Sequence, residues 1–126
     1  MNTALWIAAA VLACVALAAG AGKLLLPVEK LASAPGGGWT ADTGPGFVRA
    51  LGALEVLAAA GLTLPALPGA LPVLVPVTAV CWVLLMAGAM ATHIRRGDPL
   101  LFPAVNGAYL VLAAFLAWGR FFAVPL

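Results

Sequence analysis

The chain has 126 residues, 65% of them hydrophobic and 8% charged, and a formal net charge of +2. Soluble domains are about a quarter charged, so this composition excludes a water-covered globule, and lipid must cover most of the surface. The small net charge gives no footing for a nucleic-acid partner.

The first apolar stretch runs from Ala4 to Gly22 and ends at Lys23, long enough to cross about 30 Å of hydrocarbon. Two segments inside it look like cleavage sites, Val11-Leu12-Ala13-Cys14 and Ala18 to Gly22. Met1-Asn2-Thr3 has no basic side chain to precede them, so both are read as parts of a span. Cys14 and Cys81 are far apart, lie in apolar runs, and show no Cys-x-x-Cys or Cys/His metal spacing. Both are expected to be buried structural cysteines.

Pro27 to Gly46 follows, centred on Pro35-Gly36-Gly37-Gly38. It is expected to be an interfacial loop with Trp39 at the headgroups; a lid over a pocket is the sharper reading. From Val56 to Thr92 no residue is charged. As one helix that stretch would be roughly 55 Å long, too long for a single crossing. It must break at Pro65-Ala-Leu-Pro68-Gly69-Ala-Leu-Pro72. Pro76 suits the first turn of the next span. In Gly97-Asp98-Pro99, Asp98 is expected as N-cap and Pro99 as the first helical residue of the last span. Pro103 is either a first-turn proline or a kink. The expected spans are about 4–26, 47–64, 75–94 and 100–124, with the loop 27–46 between the first two. The expected fold is an all-α membrane protein, a four-transmembrane-helix antiparallel bundle in a single domain over 1–126.

Four spans leave both termini on one side. Lys23, Lys30, Arg49, Arg95 and Arg96 fall on the other side, while Arg120 is alone on the terminal side. The positive-inside rule places the charged connections in the cytoplasm and the termini outside. Trp6, Trp82 and Trp118 fall toward the terminal side, as an interfacial aromatic belt would.

The ionisable residues near the spans carry the most information. Lys23, Glu55, His93 and Asn106 come one from each helix, and alternating helix direction brings all four toward the same leaflet. Glu55 lies roughly 12 Å along its helix from Phe47. A charge at that depth must face the bundle and find a partner. Gly52, Ala58 and Ala59 flank Glu55, and Ala16, Ala19 and Gly20 share the face of Lys23, so these faces are expected to meet. Lys23 and His93 are the candidate partners of Glu55. Asn106 and Tyr109 could supply hydrogen bonds, and Arg49 and Thr92 stand beside the cluster. Such a cluster can be a structural polar core that fixes helix register, a site contacting a ligand or quinone, a proton or ion path, or an interfacial anchor in which Lys23 snorkels and His93 lies at the headgroups. The other half of the bundle is nearly all Leu, Ala and Val.

The same residues carry a resemblance. Gly22-Lys23-Leu24 closes the first span, Arg49-Ala-Leu-Gly52-Ala-Leu-Glu55 opens the second, and Ala60-Gly61-Leu62-Thr-Leu64-Pro65 ends it. Met86-Ala-Gly88-Ala89-Met-Ala-Thr92-His93-Ile-Arg95-Arg96-Gly97-Asp98 closes the third. In this order and spacing the chain resembles the DoxX family of small four-helix bacterial and archaeal membrane proteins, and its compact DoxX-like branch most of all. The resemblance covers nearly the whole chain, and Gly52-x-x-Glu55 and Thr92-His93 weigh most.

The resemblance implies a multi-pass protein of a prokaryotic plasma membrane. The family takes its name from a membrane subunit associated with a terminal quinol oxidase and with thiosulfate oxidation using quinone; other members are tied to membrane redox complexes. The expected role is therefore a non-catalytic subunit or accessory protein of a quinone-linked redox system. The expected partners are the lipid bilayer and either another membrane protein or a second copy of the chain. A quinone or lipid is the ligand in view, with no metal site. This chain has no Cys pair and a single histidine, too few for a bis-His haem. The alternatives are an intramembrane enzyme acting on a lipid or quinone through Glu55 and His93, and a small transporter or proton path.

Overall fold

The computed structural model describes residues 1–69 and 71–126; Ala70, in the Pro65–Pro72 string, lies outside the described residues. Six α-helices follow in chain order: α1 Asn2–Leu25, α2 Val28–Ser33, α3 Trp39–Thr43, α4 Pro45–Thr63, α5 Leu74–Arg96 and α6 Leu101–Trp118. A 3-10 turn extends α4 through Leu64–Ala66, and a π-helical turn extends α6 through Gly119–Ala123. With these extensions, four helices are long and apolar enough to cross a membrane, and no strand occurs among the described residues. The protein is an all-α, four-helix membrane protein.

The helices close into a ring in which α1 packs along α4 and α5 along α6, with slimmer seams between α1 and α6 and between α4 and α5. Each buries a narrow stripe. Leu5, Leu12, Leu62, Val75 and Leu116 are fully buried, interleaved with Ala8, Ala9, Ala16, Ala79 and Ala113. The remaining faces carry exposed Ile7, Leu17, Leu54, Leu84 and Val111, which suits lipid and not water. The alanines and glycines set the helix spacing, because dispersion contacts in lipid need close backbone approach. The α1–α4 crossing is the tightest case: a Cβ on Gly20 would stand 2.7 Å from the Gly52 carbonyl oxygen.

The helix ends are fastened by tertiary contacts more than by their own caps. Arg49 on α4 donates to the carbonyl of Lys23 and, at 2.6 Å, to that of Leu26, satisfying orphan acceptors at the end of α1. Gly97 adopts a left-handed conformation (φ 70°), and the Asp98 N–H bonds to the His93 carbonyl at 3.0 Å, a Schellman closure of α5. That closure changes the role expected of Asp98. Its side chain turns back to α5 and does not cap α6, which begins at Leu101 with Pro99 outside it. Pro103 sits in the first turn of α6.

The segment between the first two spans contains α2 and α3 and folds back onto the bundle. Its glycines are needed by contact. A Cβ on Gly36 would stand 2.5 Å from the Phe102 ring, and one on Gly38 2.5 Å from Arg96 Nη2. Arg96 also pairs with Asp42, tying α5 to α3.

Two further expectations are corrected. Cys14 and Cys81 are exposed on lipid-facing stripes, because their helical positions fall opposite the core. Trp82 is buried in the core and takes no part in an interfacial belt. Arg120, at the terminal end of the bundle, is buried: it is 3% exposed, inside the π turn.

Candidate functional site

A cavity of about 480 Å³ opens within the bundle, lined from all four spanning helices and from α3. Lys23, Glu55, His93 and Asn106 all line it, as do Thr92 and Tyr109. Trp39 and Thr43 of α3 complete its wall at the charged end. On α5 the wall extends from His93 back to Trp82, roughly 16 Å along the axis. The cavity is thus elongated and polar at one end, and Val15, Leu51, Leu85 and Met86 make the remainder apolar.

Lys23 Nζ bridges both oxygens of Glu55, at 3.1 Å each. The pair forms because the α1–α4 crossing at Gly20 and Gly52 leaves no room for side chains between the backbones. The long Lys23 side chain then reaches Glu55 one turn beyond Gly52. Nζ also lies 5.8 Å from the centre of the Trp39 ring, a cation–π contact from the folded-back segment.

His93 is not brought to Glu55. Its Nδ1 meets Asp98 Oδ2 at 2.7 Å, and its ring stacks on Phe102 with centroids 5.6 Å apart. Asp98 Oδ2 also forms an ion pair with Arg96 Nε at 3.4 Å. A carboxylate on Nδ1 fixes which imidazole nitrogen carries the proton. The other nitrogen, Nε2, has no hydrogen-bond partner among the described residues. Thr92 donates to the Gly88 carbonyl of its own helix at 2.9 Å, and Arg49 is committed to the end of α1. Asn106 and Tyr109 make no side-chain hydrogen bond among the described residues, so the hydrogen bonds expected of them are not formed within the protein.

One lining group escaped the sequence reading. The Trp82 indole Nε1 is buried without a hydrogen-bond partner among the described residues. An unpaired buried donor costs about 1–3 kcal/mol, and this one belongs to a residue that lines the cavity. Tryptophan in an apolar helix carried no signal of that state. Among the described residues no group of three or more His, Cys, Asp and Glu side chains could hold a metal ion.

The DoxX-like family profile matches residues 7–116, which covers the second and third spanning helices, most of the first and fourth, and the whole cavity lining. The chain belongs to the DoxX-like family. No curated protein and no solved structure matches it.

Proposed function

We propose that this DoxX-like membrane protein is a non-catalytic subunit or accessory protein of a membrane redox system. Its cavity would hold a lipophilic molecule with a polar head, a quinone or a lipid. The observation that carries this reading is an elongated apolar cavity lined by residues with unspent hydrogen-bonding groups: Asn106, Tyr109, His93 at Nε2, and Trp82, whose enclosed N–H has no partner among the described residues. Lys23 and Glu55 already neutralise one another, so the cavity favours a neutral head over a free ion. Carbonyl oxygens are natural acceptors for an indole N–H and a phenol. The remainder suits an isoprenoid or acyl tail.

Purification in mild detergent, solvent extraction and mass spectrometry should recover a bound quinone or lipid. Ala89 lines the cavity, and Ala89→Trp should fill it and lower recovery by about tenfold, the consequence of losing roughly 1.4 kcal/mol of binding. Recovery that is absent from the wild type, or unchanged in Ala89→Trp with helix content preserved, would count against the reading.

A second reading has its own observation. An imidazole oriented by a carboxylate in a cavity wall is an acid–base arrangement. If the pure chain turns over a lipid or quinone, and His93→Ala and Asp98→Asn both abolish this while the fold survives, the protein is an enzyme.

The orientation belongs to the same proposal. The charged segments 27–46 and 95–98 would lie in the cytoplasm and the termini outside. Ser33→Cys and Arg95→Cys place thiols at exposed positions. Both would be read on a background lacking Cys14 and Cys81, whose lipid-facing positions make their removal mild. Neither introduced thiol should react with an impermeant maleimide in intact cells; labelling without lysis would reverse the orientation.

A further inference from the structure

At the end of the bundle opposite Lys23, a second cavity of about 370 Å³ lies between the start of α5 and the end of α6. Val73 and Pro76 line one side, and Arg120 and Phe121 the other. No acidic side chain lines it; Pro125 and Leu126 extend the wall, and the Leu126 carboxylate forms no ion pair with Arg120. Arg120 is 3% exposed, yet it forms no ion pair among the described residues. Its Nη1 donates to Asn2 Oδ1 at 2.7 Å and to the Val124 carbonyl at 3.1 Å. Its Cζ stands 4.7 Å from the centre of the Trp6 ring. Asn2, Val124 and Trp6 orient the guanidinium without neutralising it. Nε and Nη2, the two nitrogens of its side-on edge, have no partner among the described residues.

That edge is the fork that binds two oxygens of one oxyanion in parallel. The surroundings add positive potential, because the cavity also meets the N-terminal end of α5, the positive end of its macrodipole. The π turn contributes too: the wide Val124 N–H to Gly119 carbonyl bond (2.7 Å) marks the kind of helix irregularity that recurs at functional sites. Asn2, Val73 and Arg120 all lie at the ends of spanning helices, which is headgroup depth. Exposed Trp118 and Phe122 flank this end, as interfacial aromatics do. We propose that Arg120, held by Asn2 and Trp6, binds the phosphate of a phospholipid headgroup in this second cavity, on the leaflet that holds the termini. The site shares no residue with the cavity of Lys23 and Glu55, so the two readings stand or fall separately.

The test uses the purified full chain in detergent. Short-chain phosphatidylglycerol, dioctanoylglycerol without phosphate, and inorganic phosphate serve as probes, read by thermal unfolding and native mass spectrometry. Phosphatidylglycerol should raise the unfolding temperature and survive as an adduct, and dioctanoylglycerol should do neither. Arg120→Gln should weaken phosphatidylglycerol binding roughly ten- to a hundredfold, the worth of charge-assisted hydrogen bonds. Arg120→Lys keeps the charge but lacks the fork, and should fall between. Equal stabilisation by both lipids, or equal affinity in the wild type and Arg120→Gln, overturns the proposal. If inorganic phosphate matches phosphatidylglycerol, the ligand is a free anion and the lipid assignment fails. Should Arg120→Gln fail to fold, Asn2→Ala, which removes the acceptor that orients Nη1, takes its place and should weaken phosphatidylglycerol binding; unchanged affinity there overturns the proposal.

Discussion

Glu55→Ala should destabilise the bundle by about 3 kcal/mol, at the low end of the cost of breaking a buried ion pair. The substitution strands the Lys23 ammonium, whose side chain is 16% exposed. That residual exposure gives it partial access to polar surroundings and keeps the loss from being larger. Glu55→Gln should be milder, because an amide oxygen still accepts from Nζ. A double-mutant cycle of Glu55→Ala with Lys23→Ala should show coupling of about 1–3 kcal/mol, whereas a cycle with His93→Ala should be additive within about 0.5 kcal/mol. The asymmetry follows from the partners: Lys23 bonds to Glu55 and His93 to Asp98. Reversible unfolding in mixed micelles measures both cycles. Additivity with Lys23 would mean that the pair does not form in the membrane.

Gly52→Val should cost about 2–3 kcal/mol, the upper range for overpacking. A Cβ there would stand 2.8 Å from Lys23 Cβ and 2.9 Å from the Gly20 carbonyl oxygen. Neither obstacle is the free end of a flexible side chain, so α1 and α4 must move apart. The Lys23–Glu55 bond lies beside this crossing and should loosen with it. Gly88→Ala is the informative control. A Cβ on Gly88 would meet nothing within 4 Å, and alanine is better than glycine inside a helix by roughly 0.5–1 kcal/mol. The two substitutions should therefore move stability in opposite directions. Equal small effects would show that close α1–α4 packing is not what holds the bundle.

The intramembrane polar residues were legible because a bilayer leaves few options. A carboxylate eight residues past Phe47 must turn inward and be paired, and small residues around Gly52 and Gly20 mark where another helix comes near. Which cation it meets was not legible. Lys23 and His93 are both at suitable depth, and the choice rests on α1 being the close neighbour of α4 while Asp98 holds His93. The glycine run 36–38 reads as loop chemistry, although its contacts with Phe102 and Arg96 come from residues more than fifty positions away.

By itself the sequence determined the membrane environment, the all-α class and the span count. Those depend on hydropathy summed over about 20 residues and on proline and glycine, local quantities that no distant contact overrides. Only the tertiary structure decided which faces meet. It turned Cys14 and Cys81 to lipid, Trp82 into the core and Asp98 back onto His93. It also enclosed Arg120, whose burial leaves no sign in the sequence. Asn2 and Trp6, from the far end of the chain, pack against it within the π turn. A side chain's surroundings depend on its angular position around a helix and on that helix's neighbours, and composition along a span is blind to both.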